Sequence, residues 1–200
     1  MGSIEETRKI SDAELVALAS KNPDEFAHIM HRYDKPLARY LKHLIKASPE
    51  DTDDLLQNIF IKVYTNLNDF DTSLSFSSWI YRIAHNEAIY HIRRIKRRPV
   101  HAQTESDDEE EDEFSKIASE IDVAEDVDKL FLKKNVAHIL DTLDPKYKSV
   151  LVLKYLEDKD YNEISDILKK PVGTVGTLIN RAKKQFKEKA NALGLRIEHL

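Results

Sequence analysis

The sequence has no cysteine, and its 200 residues include only four glycines, six prolines, two methionines and one tryptophan. The absence of cysteine excludes disulfides, thiolate metal sites and cysteine nucleophiles together, and it suits a reducing compartment. Scarce glycine and proline leave little material for the closely spaced turns of a β-sandwich. No stretch approaches the roughly 18 uninterrupted apolar residues of a membrane span. The opening MGSIEETRKI lacks the apolar core of a signal peptide, so the expected location is the cytoplasm. No phosphate-cradling glycine loop, zinc signature or nucleophile motif accompanies the eight histidines, among them His28, His31, His85 and His91. Surface or hydrogen-bonded histidines fit that pattern; neither an enzyme nor a bound metal or other cofactor is expected.

What is present is charge and helix periodicity. Hydrophobic residues make up 41% and charged residues 34%, the balance of a helix-rich globular chain. The net charge of −5 is unevenly spread. Residues 1–104 carry 15 Lys/Arg against 14 Asp/Glu, residues 105–128 carry 1 against 13, and residues 129–200 carry 15 against 9. The middle stretch, around ESDDEEEDE, repels itself and holds too few apolar residues to offset the entropy of ordering, so it reads as a flexible linker. The resulting expectation is all-α, with two small helical lobes on a tether: 1–98, an acidic linker at 99–123, 124–193, and a tail at 194–200. The placement of one lobe against the other is expected to be loose in the free protein.

In the first lobe, Phe26, Ile29, Met30, Tyr33, Leu37, Tyr40, Leu41 and Leu44 recur at three- and four-residue steps, which is helix spacing. SPEDTDDLLQNIFIKVYTNL then supplies a helix start: Ser48 as cap, Pro49 in the first turn, and Asp51 three residues after the cap. Leu55, Leu56, Ile59, Phe60, Val63 and Leu67 form its apolar stripe, leaving Asp54, Gln57 and Asn58 on a polar face. In FSSWIYRIAHNEAIYHIRRIKRRP, Trp79, Arg82, Asn86 and Arg93 fall on one stripe at about 100° per residue. An aromatic plane, an amide and guanidinium groups are what is needed to stack an unpaired base, read its edge and hold its phosphate. The same spacing also fits a core tryptophan flanked by solvated arginines, and the stretch alone leaves both open.

In the second lobe, Asp144 and Pro145 can start one helix, while Asp160 with Glu163 has capping-box spacing at the start of the next. A short break at KKPVG precedes PVGTVGTLINRAKKQF, whose second half is cationic. Short helix, tight turn and longer cationic helix form the helix-turn-helix pattern, in which the second helix enters the DNA major groove. Val175, Ile179, Ala182 and Phe186 share an apolar face; Thr174, Thr177, Leu178, Arg181, Lys184 and Gln185 point away from it. A merely solvated cationic face remains open on this stretch alone.

Taken together, DDLLQNIFIKVY, FSSWIYRIAHNEAIYHIRR, the acidic linker and YNEISDILKKPVGTVGTLINRAKKQF resemble the two domains of an extracytoplasmic-function (ECF) sigma factor of the sigma-70 family, over about residues 11–190. The resemblance implies a protein that binds core RNA polymerase and directs promoter recognition and DNA melting. It implies that Asp54, Gln57, Asn58 and Ile61 dock on the clamp of the largest polymerase subunit. Trp79, Tyr81, Arg82, Asn86, Arg93 and Arg94 are then expected to contact the minus 10 element, including its unpaired non-template strand, with Asn86 reading an extruded base. Thr174, Thr177, Leu178, Arg181, Lys184 and Gln185 are expected at the minus 35 element, beside the polymerase flap. The cations of residues 82–98, six against one acid, would lie where DNA lies, while acidic surface elsewhere would suppress indiscriminate binding.

Some positions depart from the family pattern. Gly176, Thr177 and Leu178 stand where a polar or basic residue, Ser and Arg are usual; Asn58 replaces a common Glu, and Tyr90 a common Asp. Loss of an Arg-type contact points to weakened minus 35 reading and to recruitment by another DNA-targeting protein, although apolar contacts to thymine methyls fit the same residues. An anti-sigma factor is a further possible partner. The competing assignments are a stand-alone helix-turn-helix regulator that represses by occupancy, and an interaction protein that titrates such a partner.

Overall fold

The computed structural model describes residues 10–45, 47–97 and 134–195, and all regular structure within them is helical. The acidic linker expected at 99–123 lies outside the described residues, as does most of the tail expected at 194–200.

The first lobe is built from four helices. Helix α1 (Asp12–Lys21) opens on a capping box, with Ser11 Oγ accepting from the Glu14 N–H at 3.2 Å and Glu14 accepting from the Ser11 N–H at 2.7 Å. A 3-10 turn at Pro23–Glu25 leads into α2 (Phe26–Leu44), whose buried face is Phe26, Ile29, Tyr33, Leu37, Tyr40, Leu41 and Leu44. Helix α3 (Pro49–Thr65) starts where Ser48 Oγ accepts from the Asp51 N–H at 3.0 Å, and buries Leu55, Leu56, Ile59, Phe60 and Val63. A second 3-10 turn at Leu67–Asp69 precedes α4 (Phe76–Arg97). Helices α2, α3 and α4 pack on one another around Ile29, Leu37, Ile59, Ile80 and Ala84.

In the second lobe a helix over residues 134–141, here α5, precedes α6 (Pro145–Leu151). Asp144 caps α6 by accepting from the Lys146 N–H at 3.0 Å. Helix α6 runs into a π-turn at Val152–Leu156, closed by a 3.0 Å bond from the Glu157 N–H to the Val152 carbonyl. Helix α7 (Tyr161–Leu168) begins on the capping box expected of Asp160 and Glu163, and ends at Lys169, which is left-handed at φ 51°. Helix α8 (Val172–Ala192) lays Val175, Ile179, Ala182, Phe186 and Ala190 against α6 and α7.

The expectation of loosely placed lobes is corrected by the structure. Helix α7 packs along α4, and the π-turn packs against α2. Polar bonds span the seam: Arg39 to Glu157, Tyr81 to Glu157, and Lys159 to Ser77. Sequence spacing carries no signal for such a contact, because it depends on three helices whose surfaces become adjacent only after each lobe has folded.

Candidate nucleic-acid interface

Trp79 is half-buried because its ring joins an aromatic cluster, 5.0 Å from Phe70 and 5.5 Å from Phe76 between centroids. The core and the surface readings of this residue therefore meet. The ring is held by the core, and part of it lines an open cleft of about 420 Å³ between α3 and α4. That volume lies within the roughly 300–1,000 Å³ range of small-ligand clefts.

The other lining residues are Lys62, Asn66, Asp69, Ile83, Asn86 and Glu87. Lys62 and Glu87 form an ion pair across the rim. Asn66 spends its amide donors on the Lys62 carbonyl at 2.8 Å and Thr65 Oγ1 at 3.2 Å, leaving its carbonyl oxygen as an acceptor. Asn86 is exposed and makes no hydrogen bond with the described residues, so its donors and acceptor face outward beside the tryptophan. Arg93, Arg94 and Arg97 are exposed further along α4 and continue the cationic path. Tyr90, one turn beyond Asn86, is 63% exposed and adds a second aromatic surface to that side of the helix.

Two residues expected on the strand-contacting face lie elsewhere. Tyr81 is buried at the seam between lobes, where its hydroxyl donates to Glu157 Oε2 at 2.8 Å. Burial first, and then the Glu157 charge, raise its pKa far above the ordinary phenol value. Arg82 is half-buried and lines a crevice between α4 and α7 with Ser78, Trp79, Asp166 and Lys169. Helical periodicity placed Trp79 and Asn86 on one stripe. It could not supply Asn66 and Asp69, which come from another helix end and a 3-10 turn, nor show that Glu87 and Lys62 close the rim.

On α3, Asp54, Gln57, Asn58 and Ile61 are all exposed and share one face. The Asn58 amide donates to the Asp54 carbonyl at 2.9 Å, which ties it to its own helix, whereas Ile61 is 60% exposed. On α8, Thr174, Thr177, Arg181 and Lys184 are exposed, as are Asn180 and Lys187, which the sequence reading passed over. Asn180 follows Thr177 by three residues, so helical spacing alone could have found it. Leu178 differs from expectation: it is half-buried and packs against the core, and Gln185 beside it is also half-buried. Both sit at the edge of the apolar stripe, where a few tens of degrees decide between core and solvent. Gly176 is not imposed by space. A Cβ there would meet only Tyr161 Cε1, at an ordinary 3.6 Å.

A lobe with an aromatic cleft and a cationic helix, joined to a helix-turn-helix lobe, defines a two-part nucleic-acid-binding protein. Comparison with known families makes the class specific: residues 29–98 match Sigma-70 region 2, and residues 133–186 match Sigma-70, region 4. The chain belongs to the sigma-70 family, and within it to the ECF sigma factors, which bind core RNA polymerase and direct it to promoters. It is 32% identical to the ECF RNA polymerase sigma factor SigW of Bacillus subtilis over 171 residues, covering 85% of this chain and 91% of that protein. It is 28% identical to the ECF RNA polymerase sigma-E factor of Escherichia coli K12 over 192 residues, covering 94% and 98%. Its fold is similar to that of CnrH, solved in complex with the cytosolic domain of CnrY, at a TM-score of 0.65 and 24% identity over 90% of this chain and 97% of that one. It is also similar to the sigma factor RpoE of Bartonella quintana, solved with the anti-sigma factor NepR, at a TM-score of 0.59 and 16% identity over 84% and 97%. Among the described residues no helix is long and apolar enough to cross a membrane.

Proposed function

We propose that the cleft between α3 and α4 captures one base extruded from the minus 10 element during promoter melting. The observation that carries this reading is the free Asn86 amide beside the Trp79 ring in a single open cleft. The ring and Ile83 offer apolar surface to a base face, and the amide offers a donor and an acceptor to its edge. Arg93 and Arg94 hold the adjoining phosphates, and Tyr90 gives a neighbouring base a surface on which to stack. The exposed α3 face of Asp54, Gln57, Asn58 and Ile61 docks on the polymerase clamp.

Residues 1–98 thus act as the polymerase-binding and melting unit, residues 124–193 as the minus 35 unit, and residues 99–123 as the acidic connector. On α8 the reading face is Thr174, Thr177, Asn180, Arg181 and Lys184. With Leu178 turned toward the core and no side chain at 176, the minus 35 contribution is weak, and recruitment by a DNA-targeting partner compensates. The solved relatives bound to CnrY and NepR support an anti-sigma factor as a further partner. The protein works in the cytoplasm, at the nucleoid when bound to polymerase, as an initiation factor and not an enzyme.

The test is permanganate mapping of open complexes formed by core polymerase with the Asn86→Ala protein. Asn86 is exposed, so the variant keeps its fold. The expected result is loss of minus 10 thymine reactivity by tenfold or more with polymerase binding retained. Unchanged reactivity would overturn the reading.

A further inference from the structure

The Glu157 side chain is fully buried, yet it is a carboxylate, and a buried charge is tolerated only where partners replace its water. Its recorded donors all come from the other lobe: Arg39 Nε at 3.2 Å to Oε1, Arg39 Nη2 at 3.0 Å to Oε2, and the Tyr81 hydroxyl at 2.8 Å to Oε2. Two residues along the chain, Lys159 Nζ reaches Ser77 Oγ at 2.7 Å and stands 4.6 Å from the centroid of the Tyr81 ring. The backbone that presents this pair is irregular. A π-turn ends at Glu157, and Asp158 follows in the left-handed region at φ 50°. Single π-turns and left-handed non-glycine residues are uncommon and gather at functional positions. Among the described residues, every hydrogen-bond donor to the Glu157 side chain lies across the seam.

We infer that the free protein closes on itself through a Glu157 latch, and that this closed state must open before a promoter can be engaged. The inference rests on the sigma-factor assignment, because the obstacle is geometric. Elements named minus 35 and minus 10 lie about 25 base pairs apart, or about 85 Å at roughly 3.4 Å per pair. A packed body of about 150 residues has a radius of gyration of only about 15 Å. Helices α4 and α8 cannot reach both elements while α7 lies against α4. The stretch expected as a linker, 99–123, has 25 residues, whose contour of at most roughly 3.3–3.6 Å per residue sets an upper bound close to the open span.

Closure also alters the α4 surface. It removes Tyr81 from reach and covers the crevice that holds Arg82 and Trp79 with Asp166 and Lys169 of α7, so a strand cannot enter there while the lobes are closed. When the lobes part, water solvates Glu157 and Arg39, so the latch leaves no stranded charge and opening is reversible. Closure is thus intrinsic to the chain and needs no inhibitor to impose it.

The chain lacks cysteine, so two introduced at exposed positions, K35C and K187C, carry a fluorophore pair without competing labels. Interlobe energy transfer is measured on the full chain with neither polymerase nor DNA. The expected result is a single high-transfer population, converted mainly to low transfer by Glu157→Gln and by Arg39→Glu, and restored by the swap R39E with E157R. Circular dichroism confirms that each variant remains helical, and Tyr81→Phe, a milder change, shifts the population partway. Core polymerase is expected to bind the Glu157→Gln protein several-fold more tightly. Low transfer in the unaltered protein, or transfer insensitive to both Glu157→Gln and Arg39→Glu, would overturn the inference. These readouts do not depend on Asn86, so failure of the latch and failure of the base-capture site are told apart.

Discussion

The Tyr40 hydroxyl lies 2.9 Å from His85 Nδ1, pairing a fully buried phenol on α2 with an imidazole on α4. Burial, and secondarily the Lys170 cation brought near by the second lobe, lower the His85 pKa from 6.5 to about 4. A histidine depressed in the folded state binds its proton more readily when unfolded. Its contribution to stability is therefore complete above about pH 6.5 and is lost as pH falls toward about 4. The loss expected from this group is on the order of 2–3 kcal/mol. Urea unfolding of wild type and His85→Gln across this range measures it: the difference between the two curves should shrink on acidification.

The rim pair predicts coupled effects on melting. Glu87 is mostly buried, and Lys62→Ala leaves its carboxylate unpaired at the mouth of the cleft, facing incoming phosphates. Open-complex formation should fall several-fold in Lys62→Ala and recover in the double variant Lys62→Ala with Glu87→Ala. Equal losses in the single and double variants would show that the lysine acts alone.

Position 176 separates stability from recognition. With ordinary clearance to Tyr161, Gly176→Ala should stabilise the second lobe by about 0.5–1 kcal/mol, since alanine costs the helix less entropy. Gly176→Arg should add a phosphate contact and steepen the salt dependence of duplex binding by about one unit of slope. Thermal melts check the first effect, and salt titration of a minus 35 duplex checks the second.

Capping offers a local test. The Asp160 carboxylate accepts from the Asn162 and Glu163 N–H groups at 2.7 and 2.8 Å, satisfying two donors at the start of α7. Asp160→Ala should cost about 1 kcal/mol in urea unfolding, whereas Asp160→Asn should recover most of it.

The helix starts at Ser48, Asp144 and Asp160 were legible because a cap bonds to backbone two or three residues away, so the signal is local. Periodicity likewise placed Trp79 and Asn86 on one stripe of α4, and Asp54 and Gln57 on one face of α3, because rotation per residue is a property of the single helix. Leu178 shows where that reasoning stops: at the boundary of a stripe, the neighbour across the interface decides, and here it draws the side chain inward.

The cleft beside Trp79 is a product of packing, since its walls come from two helices and a turn whose mutual positions no short window encodes. Packing across the seam likewise buries Tyr81 in this closed arrangement, and with it Glu157, an ordinary surface acid by its sequence context. Local hydrogen bonds and helical rotation act within a few residues and can be read along the chain. Burial and ion pairing between residues 118 apart arise only once packed surfaces meet.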